Sequence, residues 1–149
     1  MTSRAAGAED EPFLLALFES TLDTAALPQV SREALVQMQY AARRSTYSRQ
    51  FPGSEQVLIL MGQDRAGAFT ILREPHEVRL IEMALLPEYR GSGIGTQLLR
   101  MLMEEAATAG KPLRLSVAMT NVDAIRLYRR LGFRLTGESG MHLQMEMAP

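Results

Sequence analysis

Seven residues, Arg90-Gly91-Ser92-Gly93-Ile94-Gly95-Thr96, constrain this chain more than any others. An apolar run from Leu80 to Leu86 precedes them, and an apolar-periodic segment from Ile94 to Ala109 follows. A strand, a glycine turn and a helix start in that order build an anion site. Glycine lets the backbone bend and come close to a ligand. The unpaired amides of the first helical turn then face that ligand, backed by roughly half a positive charge from the helix dipole. Phosphate or pyrophosphate is the natural guest. The alternative is a tight strand–helix turn that holds no ligand.

Two better-known phosphate patterns fail here. A P-loop needs a lysine before its Ser/Thr, and none lies between Gly91 and Thr96. A dinucleotide fingerprint counted from Gly91 and Gly93 needs a third glycine where Thr96 stands. What fits is Arg-x-x-Gly-x-Gly, at Arg90, Gly93 and Gly95.

Composition narrows the class. The 149 residues suit one domain, 1–149, with a real core. The chain is 46% apolar and 22% charged, as soluble globular proteins are. Sixteen Lys and Arg against 17 Asp and Glu give a net charge of -1, so bulk attraction to nucleic acid or membrane is not expected. No apolar run approaches membrane-spanning length, and Met1–Asp10 lacks a signal-peptide core. With Cys 0, disulfide and thiol chemistry are excluded and a cytoplasmic location is expected. Met 10 reads as flexible core filling. The two histidines lack carboxylates at metal spacing, so no metal is expected.

Along the chain, Thr2–Ala5 reads as a short edge strand. Asp10 and Glu11 are candidate caps for a helix with Pro12 in its first turn and Phe13, Leu14, Leu17, Phe18 and Leu22 at helical spacing, ending at Leu27-Pro28. A second helix is predicted from an N-cap at Ser31 to about Gln50, with Leu35, Met38, Ala42 and Thr46 inward. Strands follow at 56–61, 66–73 and 78–86, then the helix 94–109 closed by Gly110 and Pro112. The strand 113–119, a short helix 121–131 and a hairpin of 133–136 with 141–147 complete the chain. This order gives a mixed α/β sheet covered by helices.

The second informative stretch is Asn121 to Phe133. Asn121 and Tyr128 are seven residues apart and so share one helix face. That face offers an amide and, two turns on, a phenol, which a linear amide-bearing ligand could engage. Taken alone, the pair reads better as an N-cap and a partly buried ring.

Together these stretches resemble the GNAT superfamily of N-acetyltransferases. The glycine turn is similar to its acetyl-CoA pyrophosphate loop, and Leu85-Leu86-Pro87-Glu88-Tyr89 to the end of its fourth strand. Asn121 to Phe133 resembles its Asn…Leu-Tyr-x-x-Leu-Gly-Phe motif. The likeness is strongest over 78–133 and weak in the first helices. It implies an α/β fold of the α+β type, with a mixed, mostly antiparallel sheet and helices on both faces. A central parallel strand pair would be splayed to hold coenzyme A.

The resemblance also implies roles. Coenzyme A would be held by Met83, Ala84, Leu85, Arg90, Gly91, Ser92, Gly93, Ile94, Gly95, Thr96, Asn121, Ala124, Tyr128 and Arg130. Asn121 would bond the pantetheine arm, and an amide near Leu85 would polarise the thioester carbonyl. Arg129 or Arg130 would reach the 3′-phosphate, while Arg126 and Arg134 read as a solvated helix face. Tyr128 would protonate the leaving thiolate, and acetyl-CoA would be the acetyl donor to a primary amine of a small molecule or peptide. A homodimer is compatible with the likeness.

The base is less defined. A lysine-like amine has a pKa of about 10.4, so deprotonating it near neutrality costs ~4–5 kcal/mol. Glu82 is the best candidate, directly or through water; the competing reading is a salt-bridged strand carboxylate. Some families of this superfamily place a glutamate at the position of Arg79, others at that of Ser116, and this chain has a carboxylate at neither. His76 and His142 are reserves, the first in a turn and the second on the last strand. The segment Tyr40–Tyr47, with Arg43 and Arg44, is expected on a substrate-side helix. Two rivals stay open: a non-catalytic acyl-CoA-binding module, motivated by the missing family base, and a plain nucleotide binder.

Overall fold

The computed structural model describes residues 1–22 and 28–149, with the side chains of Gln29 and Val30 also left aside. Its strands are β1 (Thr2–Ala5), β2 (Glu55–Met61), β3 (Asp64–Arg73), β4 (Val78–Leu85), β5 (Leu113–Ala118), β6 (Arg134–Ser139) and β7 (His142–Met147). Its helices are α1 (Glu11–Glu19), α2 (Gln29–Gln50), α3 (Ile94–Thr108) and α4 (Val122–Leu131). The strands form one seven-stranded mixed sheet in the order β1-β2-β3-β4-β5-β7-β6. The chain divides into two compact units, 1–70 with 82–90 and 71–81 with 91–149. Among the described residues, no helix is long and apolar enough to cross a membrane.

In the first unit β1 pairs antiparallel with β2, from Thr2↔Leu60 to Ala5↔Val57, as the edge-strand reading of Thr2–Ala5 expects. The buried Asp10 carboxylate ties this end together. It accepts from Arg4 Nη1 and Nη2 at 2.8 and 3.0 Å, from Arg65 Nε at 2.9 Å and from the Gly7 amide at 2.8 Å. These donors hold its carboxyl far below the ordinary range, the Arg4 bond contributing most. Asp10 stands at the N-cap position of α1, yet its side chain makes no capping bond to that helix. Leu14 and Leu17 of α1 pack with Leu58 and Ala68 as a core cluster.

Two helix expectations are corrected here. α1 ends at Glu19, before Leu22, because Ser20 Oγ and Thr21 Oγ1 bond back to the carbonyls of Leu17 and Phe18 at 2.6 and 2.7 Å. The predicted end at Leu27 lies outside the described residues. α2 begins at Gln29 with Pro28 at its cap, so Ser31 sits inside the first turn. Its inward side is different in part: Val36 is buried and Leu35, Tyr40 and Tyr47 are half-buried, whereas Met38 is 64% exposed and Ala42 and Thr46 are exposed. Tyr40 packs its ring 5.6 Å from Phe18, a contact that helical periodicity within α2 does not report.

In the second unit α3 buries Ile94, Leu98, Leu99, Leu102 and Ala106 on one stripe. Each fully buried leucine there contributes ~1.5–3 kcal/mol relative to exposure. β5 runs antiparallel to β7, from Leu113↔Met147 to Ala118↔His142. It runs parallel to β4 over Val78↔Leu113, Arg79↔Arg114 and Leu80↔Leu115. That parallel register stops after three pairs, although β4 continues to Leu85 and β5 to Ala118. β6 starts at Arg134 and extends to Ser139, later than predicted, with Phe133 buried ahead of it.

Candidate active site

The glycine turn takes the shape its sequence requires. After β4, a 3-10 turn over Pro87–Tyr89 leads to Arg90, and then Gly91 and Gly93 adopt the left-handed conformation with φ of 74° and 87°. A β-carbon at either would meet nothing within 4 Å, so backbone conformation alone demands glycine there. Gly93 is the N-cap of α3 and has no side chain to cap it. The first helical bond runs from the Gln97 amide to the Gly93 carbonyl at 3.0 Å. The amides of Ile94, Gly95 and Thr96 therefore have no helical acceptor. The Arg90 side chain turns back: its Nε donates to the Leu85 carbonyl at 2.9 Å, and its Nη2 lies 3.4 Å from Ser20 Oγ.

Asn121 caps the start of one short helix and Tyr128 lies within it, three residues before its last residue. Asn121 is the N-cap of α4, its Oδ1 accepting from the Ala124 amide at 3.3 Å. The cap reading of Asn121 is thus realised, and the side-chain NH₂ is left over. Tyr128 is 9% exposed and rests against Phe133 with ring centroids 5.6 Å apart. Burial raises its pKa, so it keeps its proton throughout the physiological range. Among the described residues its hydroxyl has no hydrogen-bond partner. Gly132, left-handed at φ 106°, ends the helix. Arg129 and Arg130 are exposed, and Arg126 stands 3.9 Å from an exposed Asp123. Arg134 departs from the helix-face reading, since it opens β6 and donates to Glu146 at 3.0 Å.

Glu82, Met83, Ala84 and Leu85 form the half-buried last part of β4. Glu82 and Ala84, two apart and so on one face, line a narrow cleft within the first unit. Phe18 of α1 and Tyr40, Arg43 and Arg44 of α2 wall it. Glu82 Oε1 accepts from Arg43 Nη1 at 2.7 Å, and the Arg43 guanidinium lies 4.9 Å over the Phe18 ring. Burial and the Glu82 charge raise the pKa of Tyr47, and burial raises that of Tyr40. Of the segment Tyr40–Tyr47, Tyr40, Arg43 and Arg44 line this cleft. The pairing of Arg43 with Glu82 had no signal in the sequence, because the partners are thirty-nine residues apart.

β3 and the end of β4 approach closely beside the cleft. Gly67 of β3 faces the Ala84 carbonyl so closely that a β-carbon there would overlap that oxygen and lie 2.9 Å from Leu85 Cδ2. The Leu86 amide bonds the Ala66 carbonyl at 2.8 Å beside it. His76 is exposed between β3 and β4, and His142 is exposed at the start of β7. Arg79 donates to Glu77 at 3.1 Å, and Ser116 Oγ accepts from Gln144 at 3.1 Å.

Comparison with known proteins gives this arrangement a family. The model of the acetyltransferase (GNAT) family matches residues 26–133, and the chain belongs to that family. The peptidyl-lysine N-acetyltransferase YjaB of Salmonella typhimurium is 35% identical over 77 residues, 52% of this chain and 48% of that protein. The spermine/spermidine N(1)-acetyltransferase of Bacillus subtilis is 42% identical over 52 residues, 34% of each. The chain thus spans about half or less of the length of these relatives. Among solved structures, the PaiA N-acetyltransferase of Thermoplasma acidophilum in complex with coenzyme A superposes with a TM-score of 0.74 at 18% identity, covering 99% of this chain and 98% of that one. That likeness establishes the same fold.

Proposed function

We propose that this chain transfers an acetyl group from acetyl-CoA to a primary amine of a small molecule or peptide, by direct attack within a ternary complex. One observation carries the reading: α3 starts with no side-chain cap, behind two left-handed glycines, in a chain of the acetyltransferase (GNAT) family. Amides so presented suit the diphosphate of coenzyme A. A solved neighbour at 18% identity carries coenzyme A, and another, yncA of Salmonella typhimurium at 22% identity, carries acetyl-CoA.

In this reading Gly91–Thr96 hold the diphosphate, and Met83–Leu85, Asn121 and Ala124 serve the pantetheine arm. Arg130 meets the 3′-phosphate. Arg90, bonded to Leu85 and Ser20, acts by holding the turn. The early end of the β4–β5 register supports the use of strand amides by a ligand. The amine nitrogen attacks the thioester carbonyl carbon, the C–S bond breaks, and the thiolate takes its proton from Tyr128, which is reprotonated by the second proton that the nitrogen sheds as the amide forms. An unpartnered phenol that stays protonated at neutral pH suits this task. The amine enters the α1–α2 cleft and loses its proton to Glu82, directly or through water.

A second reading, a non-catalytic acyl-CoA-binding module, draws on the 2.7 Å bond between Glu82 and Arg43, which occupies the candidate base. Thiol release from acetyl-CoA across a panel of primary amines separates the two, and the background is low because the protein has no cysteine. Amine-dependent release upholds the transferase. Tight coenzyme A binding without release on any amine leaves the module. Coenzyme A displaced by ATP at equal concentration removes both.

A further inference from the structure

Two arginines face the cleft of the first unit, and they are held differently. Arg43 bonds Glu82 at 2.7 Å and stacks on Phe18. Arg44 donates from Nη1 to the Tyr40 hydroxyl at 2.9 Å, and the same atom stands 3.5 Å from Glu11 Oε1. Glu11 is itself 53% exposed, so that long pair is weak in water. The other edge of the Arg44 guanidinium, Nε and Nη2, holds no acceptor among the described residues.

Arg44 also occupies a junction. It lines the cleft and a second, open pocket that shares Arg44, Gln56 and Thr70 with it. Among the described residues, the charged groups of both linings are Arg43, Arg44 and Glu82. Arg43 neutralises Glu82, so the surplus positive charge belongs to Arg44. Around it the second cavity offers neutral hydrogen-bonding groups, among them Tyr47, Ser48 and Ser54. The nearby Glu82 charge helps to keep the Tyr47 phenol protonated and hence a donor.

We propose that Arg44 is a specificity-determining residue that binds a carboxylate on the acceptor, so that the amine acetylated is that of an amino-acid-like molecule and not a polyamine. The inference rests on the acetyltransferase reading above and names its substrate class. A guanidinium edge with two free donors matches a carboxylate in a two-point bond. One surplus positive charge balances one carboxylate. A polycation entering the same cleft meets that charge, and the described lining residues hold no unpaired carboxylate to receive it.

Matched amines that differ by one carboxylate test this: L-lysine against cadaverine, and L-alanine against ethylamine, with spermidine alongside. The carboxylate member of at least one pair is expected to lead in kcat/KM by ~10-fold or more, chiefly through KM, as a charge-assisted hydrogen bond would give. Arg44→Gln collapses that ratio to about one, and Arg44→Lys, which keeps charge without the fork, retains part of it. Spermidine or the bare amines matching their carboxylate partners overturns the proposal, as does a ratio that survives Arg44→Gln. If no amine is turned over, the transferase reading fails, and calorimetry of L-lysine and cadaverine on the full chain with coenzyme A present decides. Lysine preference that Arg44→Gln abolishes upholds the carboxylate site, and equal or absent binding of the two removes it.

Discussion

In the glycine turn, what a ligand is offered is main chain: three amides in a row, oriented by two left-handed glycines and the start of α3. In the cleft walled by α1 and α2, what a ligand is offered is side chain: guanidinium, phenol and carboxylate drawn from separate elements and fixed by ion pairs and ring contacts. The first design suits a ligand that never changes, because backbone amides are the same in every sequence that can make the turn. The second suits a ligand that differs from one protein to the next, because each wall can be altered alone. The proposed roles follow that division, with the donor on main chain and the acceptor among side chains.

The sharpest way to break the contrast is Tyr128→Phe, since Tyr128 is the one side chain that the proposed donor region commits to chemistry. Its hydroxyl has no internal partner among the described residues, so removing it costs the fold little. We expect kcat to fall ~10²–10⁴-fold while coenzyme A affinity and Tm stay near those of the unsubstituted protein. A kcat within threefold would deny Tyr128 the acid role.

Asp10→Asn probes the side-chain design where it serves structure alone. The native carboxyl is held below its ordinary pKa by Arg4, the Gly7 amide and Arg65, against the opposing effect of burial. As pH falls, the unfolded chain takes up this proton first. The stability from Asp10 is therefore full above the ordinary carboxyl range near pH 4 and is lost as pH drops toward the native value. Tm measured from pH 6 to pH 2 should fall steeply for the native sequence. The variant should start lower and change less across that window; parallel curves would refute the assignment.

Gly93→Ala sharpens the main-chain side. There is room for the methyl group, so the effect isolates backbone conformation. A left-handed alanine costs ~1–2 kcal/mol, which should appear as roughly tenfold weaker coenzyme A binding or an equal loss of stability. No change in either quantity would mean that the turn readily adopts another shape.

The same division explains what could be read from the amino-acid order. Gly91, Gly93, Asn121, Tyr128 and Gly132 act through neighbours a few residues away, so spacing alone places them. α3 is legible for a similar reason, since its period reflects one buried stripe, while β2 and β3 are legible as apolar runs whose central residues are buried in succession. α2 is not. Its period allowed either a Leu35–Met38 side or a Val36–Tyr40 side, and Phe18, far away in the chain, selects the second. Arg43 with Glu82, and Asp10 with Arg65, likewise join residues that only the sheet brings together. The end of α1 was missed because the Ser20 and Thr21 hydroxyls compete with the helix for its own carbonyls.

The close approach of Gly67 to the Ala84 carbonyl carries a lesson for anyone re-engineering the cleft. Ala68 and Ala84 are small residues on its lining, and enlarging or exchanging them is the obvious route to a new acceptor. The position next to Ala68 admits no such freedom: even one methyl group at 67 would push two strands apart. A library that leaves residue 67 as glycine while varying 68 and 84 should keep most of its members folded.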